Sequence, residues 1–189
     1  MEEWGIPTFY LQAMAFNYVQ HLATRGIWTP DLAMAGGFST EDHIFKVLAM
    51  GAPYFKAVCM GRALMIPGFV GDNIQAVLEN KNSRNWKELP RTVSQYGSSP
   101  EQIFLNYSTL QECYGNKVKE IPLGAIAIFT FIDKLRTGLS QFMAGARSFR
   151  LDTLRRTDVV ALTEDAAKVS GLAYIMDAFQ KEAMEVLDG

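Results

Sequence analysis

The chain has 189 residues, 49% hydrophobic and 20% charged, the balance of an ordinary globular protein long enough to bury a sizeable core. Its formal net charge of -2 excludes the broad basic field that a polynucleotide or an anionic membrane surface would need. Its two cysteines, Cys59 and Cys113, form no CxxC and no Cys/His cluster, which argues against a structural zinc or an iron–sulfur cluster held within this chain.

The first residues, Met1-Glu2-Glu3-Trp4, have neither the basic start nor the apolar run of a signal peptide. Residues 8–23 then read as a helix, and Phe9, Met14, Phe16, Tyr18, Val19 and Leu22 spread so widely around it that it should be well buried. Gly26 ends that helix and Pro30 blocks its continuation. Leu32 to Ala35 runs straight into Gly36-Gly37, as expected of a strand buried on both faces of a parallel sheet. Ser39, with Asp42 three positions on, predicts a capping box that opens a helix near 40–50, ended by Gly51. A second apolar run from Tyr54 to Met60 leads into Gly61-Arg62, and the whole reads as a βαβ unit with a right-handed crossover.

Beyond this the pattern is helical. A short helix is expected over 72–80, a polar loop over 81–100, and a helix opened by Ser99-Pro100. A long apolar helix should run from Leu123 to Gly145, and Thr163 should cap another over 164–171. The longest apolar stretch, Ile121 to Ile132, falls short of the roughly 20 residues that span a bilayer, so no membrane role and a cytoplasmic location are expected. Cys59 reads as a buried thiol in a reducing compartment.

The two glycine loops carry the chemistry. Gly36-Gly37 and Gly61 each stand where a strand ends and a helix begins, where a missing Cβ lets backbone N–H groups approach a phosphate. Arg62 adds a cation at the second loop. The plainer reading is that the glycines only end strands tightly. His21 and His43 read as surface or core histidines, and Lys56 as snorkelling or paired, with a contact to ligand as the alternative. Arg147, Arg150, Arg155 and Arg156, interleaved with Asp152 and Asp158, read as a solvated face. Met14, Met34, Met50, Met60, Met65 and Met143 read as core filler.

The stretch PDLAMAGGFSTEDHIFKVLAMGAPYFKAVCMGRALM resembles strand 7, helix 7 and strand 8 of the FMN-binding barrel domain of glutamate synthases. Trp4-Gly5-Ile6-Pro7 resembles the start of helix 6, and FMAGARSFRLDTLRRTDVVAL the helix pair that closes the domain. The resemblance implies an α/β fold, the C-terminal portion of a (β/α)8 TIM barrel over 1–80 with a helical C-terminal extension over 81–189. It assigns Gly36, Gly37, Gly61 and Arg62 to the FMN phosphate, and no catalytic residue or metal ligand. The implied activity is reductive amination of 2-oxoglutarate to glutamate by a flavin oxidoreductase. Met65 to Asn73 lacks the cysteines that large glutamate synthases carry there, so no iron–sulfur cluster is expected. Strands 1 to 6 are absent on this alignment of motifs. The isolated chain is therefore expected to hold FMN weakly or not at all, and to need a partner chain carrying those strands, or self-association. The alternative is a truncated, non-catalytic fragment or split subunit that acts only through assembly.

Overall fold

A computed structural model describes residues 5–79 and 86–188. The readings placed on residues 1–4 and 81–85 lie outside that range. In chain order the elements are α1 (Thr8–Thr24), β1 (Leu32–Ala35), α2 (Glu41–Met50), β2 (Phe55–Cys59), α3 (Arg62–Leu78), α4 (Arg91–Ser94), α5 (Pro100–Ile103), α6 (Tyr107–Tyr114), α7 (Leu123–Gly145), α8 (Glu164–Ser170), α9 (Ile175–Ala178) and α10 (Gln180–Asp188). Thus the first helix, both strands and the helix between them fall where the breakers around them predict. So does α7 over its full length, and Thr163 caps α8 by accepting from Ala166 N–H at 3.2 Å.

The expected half-barrel is overturned. The structure is 64% helical, and among the described residues the only strands form one small two-stranded sheet. The strands are parallel, pairing Ala33 with Ala57, Met34 with Val58 and Ala35 with Cys59, with an irregularity after Leu32. Barrel strands are covered on both faces. Here each strand buries a single residue, Met34 in β1 and Phe55 in β2, while Ala33, Ala35, Lys56, Ala57 and Cys59 are exposed. The small side chains of the alanines supply too little volume to build a second packed layer on that face. Cys59 is accordingly an exposed thiol rather than a buried one.

The chain folds as two compact units, Met1–Cys59 with Gly138–Gly189, and Met60–Thr137. In the first, Phe16, Met34, Val47 and Phe55 form one apolar cluster, and Phe45, Leu48, Ala49, Met143 and Leu154 another. Helix α2 serves both, since Val47 and the trio Phe45, Leu48 and Ala49 leave it in different directions. Helix α1 buries one stripe, Gln12, Ala13, Phe16 and Val19, and leaves Phe9, Tyr10, Leu11, Met14 and Tyr18 exposed. The wide burial expected for it is therefore not found.

In the second unit, Ile74, Phe104, Tyr107, Leu110, Val118, Leu123, Ile126 and Ala127 make the core. Helix α3 starts at once after Gly61, ten residues ahead of the expected start near 72, despite Pro67 within it. Its packing on α7 explains why. A Cβ on Gly71 would lie 2.5 Å from the Leu123 carbonyl oxygen, so the two backbones touch there. Gln75 Oε1 also accepts from Leu123 N–H at 3.0 Å, satisfying a donor at the start of α7.

Candidate functional site

Each glycine loop has its own local chemistry. After β1, Gly36 and Gly37 have φ of 149° and 77°, values that favour glycine. Thr8 Oγ1 donates to the Gly36 carbonyl at 3.1 Å, and a Cβ on Gly36 would collide with that hydroxyl. A Cβ on Gly37 would meet nothing within 4 Å. So Gly36 is needed for packing, whereas Gly37 leaves open space. The chain then turns through Phe38, whose ring meets His43 edge-on, and Ser39 N–H donates to His43 Nδ1 at 3.4 Å. Thr40, not Ser39, is the N-cap of α2, and its hydroxyl donates to Asp42.

The start of α2 already carries its own anions, Glu41 and Asp42. Lys46 pairs with Asp42 at 2.8 Å, and that bond together with Thr40 lowers the Asp42 carboxyl from 3.8 to about 2. A phosphate at this helix end would meet two carboxylates, and the nearby lysine is committed to one of them. The first loop is thus a poor anion site on its own, for all its open backbone.

The second loop differs. Gly61 is the N-cap of α3, a 17-residue helix with no acidic residue in its first turn. A Cβ on Gly61 would meet nothing within 4 Å. Leu64 N–H turns back to the Gly61 carbonyl at 3.0 Å, which leaves the amides of Arg62 and Ala63 as helix-end donors. Arg62 occupies the first helical position and is exposed. For FMN, the donor set here fits the phosphate end: a positive helix end, a guanidinium and room for close approach. Gly36 and Gly37 belong to the first compact unit, and Gly61 and Arg62 to the second.

The remaining singled-out residues separate clearly. His21 and Lys56 are exposed, and His43 is half-buried. Met34, Met50 and Met143 are buried as expected, but Met14 and Met65 are exposed. In the arginine cluster, Arg150 makes a two-bond pair with Asp152 at 3.0 and 2.7 Å and holds that carboxyl below its ordinary range. Arg156 departs from the solvated face. Its guanidinium donates to the Met50 and Ser170 carbonyls, at the C-terminal ends of α2 and α8, and lies 3.9 Å over the Phe16 ring. Burial lowers its pKa. Carbonyls at two helix C-termini and an aromatic face compensate the charge in place of a carboxylate.

The first unit also contains a cavity of about 480 Å³ between α1, α2 and residues 159–172, lined mainly by apolar side chains with Thr8, Gln12, His43, Lys46 and Ser170 also on its border. Residues as far apart as Phe9, Met50 and Leu172 border it, so no local pattern announces it. Among the described residues, no group of three or more His, Cys, Asp or Glu is placed to hold a metal ion. No helix among them is long and apolar enough to cross a membrane. Comparison of the chain with protein-family models, with curated proteins and with solved structures finds no match.

Proposed function

We propose that the chain supplies the phosphate-holding part of a cytoplasmic flavin oxidoreductase of the glutamate-synthase type, working in an assembly rather than alone. The observation that carries this reading is the N-terminus of α3, where Gly61 leaves open space, Arg62 adds a charge and no carboxylate competes. In this reading Arg62 pairs with the FMN phosphate and Gly61 allows the amides of Arg62 and Ala63 to approach it. Bound FMN supplies the redox chemistry of reductive amination, while the chain contributes binding and charge. A partner chain completes the flavin site.

A second reading, a non-catalytic subunit that acts only by assembling, is favoured by the exposed Met65, Ile66 and Phe69 along α3. Titration of the purified chain with FMN separates the two. Weak, salt-sensitive binding that falls in Gly61→Ala, with folding unchanged, supports the phosphate anchor. Identical FMN binding by Gly61→Ala removes it.

A further inference from the structure

We infer that the outward face of α1 is a seam for a second copy of this chain, packed antiparallel across a two-fold axis. Helix α1 spans 17 residues, Thr8–Thr24, and contains no Asp, Glu, Lys or Arg. Its buried residues, Gln12, Ala13, Phe16 and Val19, occupy one side. On the side turned away from them lie Leu11, Met14, Tyr18 and His21, all exposed, and Arg25 at the C-cap continues the line. These positions alternate three and four residues apart, the spacing that holds one stripe of a helix against a neighbouring helix. Leu11, Met14 and Tyr18 are 43%, 41% and 65% exposed, so the rest of the described chain leaves this stripe largely uncovered.

The flanks of the stripe select the occupant. In paired helices such flanks carry Glu and Lys, whose charges choose the partner. Here they are Tyr10 and Asn17 on one side and Ala15 and Leu22 on the other, without a charge among them. A charged partner therefore finds no counter-charge, and an anionic lipid surface finds no lysine or arginine within the helix. A second copy needs neither. Identical neutral faces meet without like-charge repulsion and match themselves about a two-fold axis. Parallel packing would set the two Arg25 side chains against each other, whereas antiparallel packing sends them to opposite ends. It brings Leu11 of one copy against Tyr18 of the other, with the two Met14 side chains at the centre. A single helix pair about 25 Å long stays below the roughly 1,200 Å² of standard interfaces, so the dimer is weak, dissociating at roughly 10 μM. The seam lies within one compact unit and does not rest on the flavin reading.

The test is sedimentation of the full chain carrying Phe69→Asp, so that the exposed residues of α3 do not contribute. A reversible equilibrium between monomer and dimer in the micromolar range is expected. Met14→Glu, which sets two carboxylates face to face at the axis, should weaken the dimer about tenfold or more while the urea midpoint stays the same. Leu11→Glu and Tyr18→Lys should each weaken it alone. Together they should dimerise about threefold more tightly than either single change, because each new carboxylate then meets the new ammonium of the other copy. A parallel pair would instead set like charges together and lose affinity further. A monomer at every concentration, an equilibrium unmoved by Met14→Glu, or a double variant weaker than both single ones would each overturn the assignment.

Discussion

Arg156 links three elements through one side chain: α2 and α8 by their last carbonyls and α1 by the Phe16 ring. Truncation leaves two carbonyls short of a partner and removes a cation–π contact. Arg156→Ala should therefore cost about 2–3 kcal/mol in urea unfolding. Arg156→Lys keeps the charge without the planar fork and should recover only part of this loss. A change within about 0.5 kcal/mol for the alanine variant would mean the clasp contributes nothing. Asp42 offers a pH-dependent counterpart. Its folded carboxyl titrates at about 2 against an ordinary 3.8, chiefly through the bond from Lys46. A lowered folded pKa gives stability that is present in full above the unfolded value and lost as pH falls through the folded one. The stability difference between the wild type and Asp42→Asn should be flat above about pH 5 and shrink towards about pH 2. A difference that grows on acidification would contradict this.

At the scale of elements, the crossing of α3 and α7 depends on bare backbone. Alanine is the better helix former than glycine by about 1 kcal/mol, so propensity alone favours Gly71→Ala. The added Cβ, however, meets the Leu123 oxygen at 2.5 Å and the Gly124 Cα at 2.7 Å, neither of which is a flexible side chain. Overpacking should win, with a net loss of about 1–3 kcal/mol. Gly145→Ala is the control, since a Cβ at this last residue of α7 would meet nothing within 4 Å. Equal stability of Gly71→Ala and the wild type would show that the helices separate without cost. Local punctuation made most elements legible: Pro30 and the glycine pair bracket β1, Gly51 and Gly61 bracket β2, and Thr163 opens α8. What remained hidden depends on distant contacts. The start of α3 at Arg62 rather than near 72 is one such feature, since Gly71 packs against Leu123 and Gly124 of α7, far along the chain. Arg156 reads as a surface charge because its two carbonyl partners lie 106 and 14 positions away. The glycine loops were legible as a pair, but their difference was not, since it rests on Glu41 and Asp42 acting at the start of α2.

At the scale of the molecule, the exposed apolar residues matter most. Phe9, Tyr10, Leu11, Met14 and Tyr18 lie along α1, and Met65, Ile66 and Phe69 along α3, all exposed. The sheet has two strands, so each has one side without a strand neighbour among the described residues. Such surface is costly to leave in water, and sedimentation should show concentration-dependent association, reduced by Phe69→Asp. A monomer at every concentration would contradict this. The barrel expectation failed at this scale because a βαβ unit with glycine loops is local, whereas a barrel is a property of the whole chain.

The claim that Gly61 and Arg62 hold a phosphate is tested most directly by comparing FMN with riboflavin, which differs only by that group. The wild-type chain should bind FMN about tenfold more tightly than riboflavin at low salt, the worth of one charge-assisted contact. That advantage should vanish in Arg62→Ala and shrink at high salt, while riboflavin binding stays the same. Equal affinities for FMN and riboflavin in the wild type, or an FMN advantage undiminished in Arg62→Ala, would contradict a phosphate anchor at the start of α3.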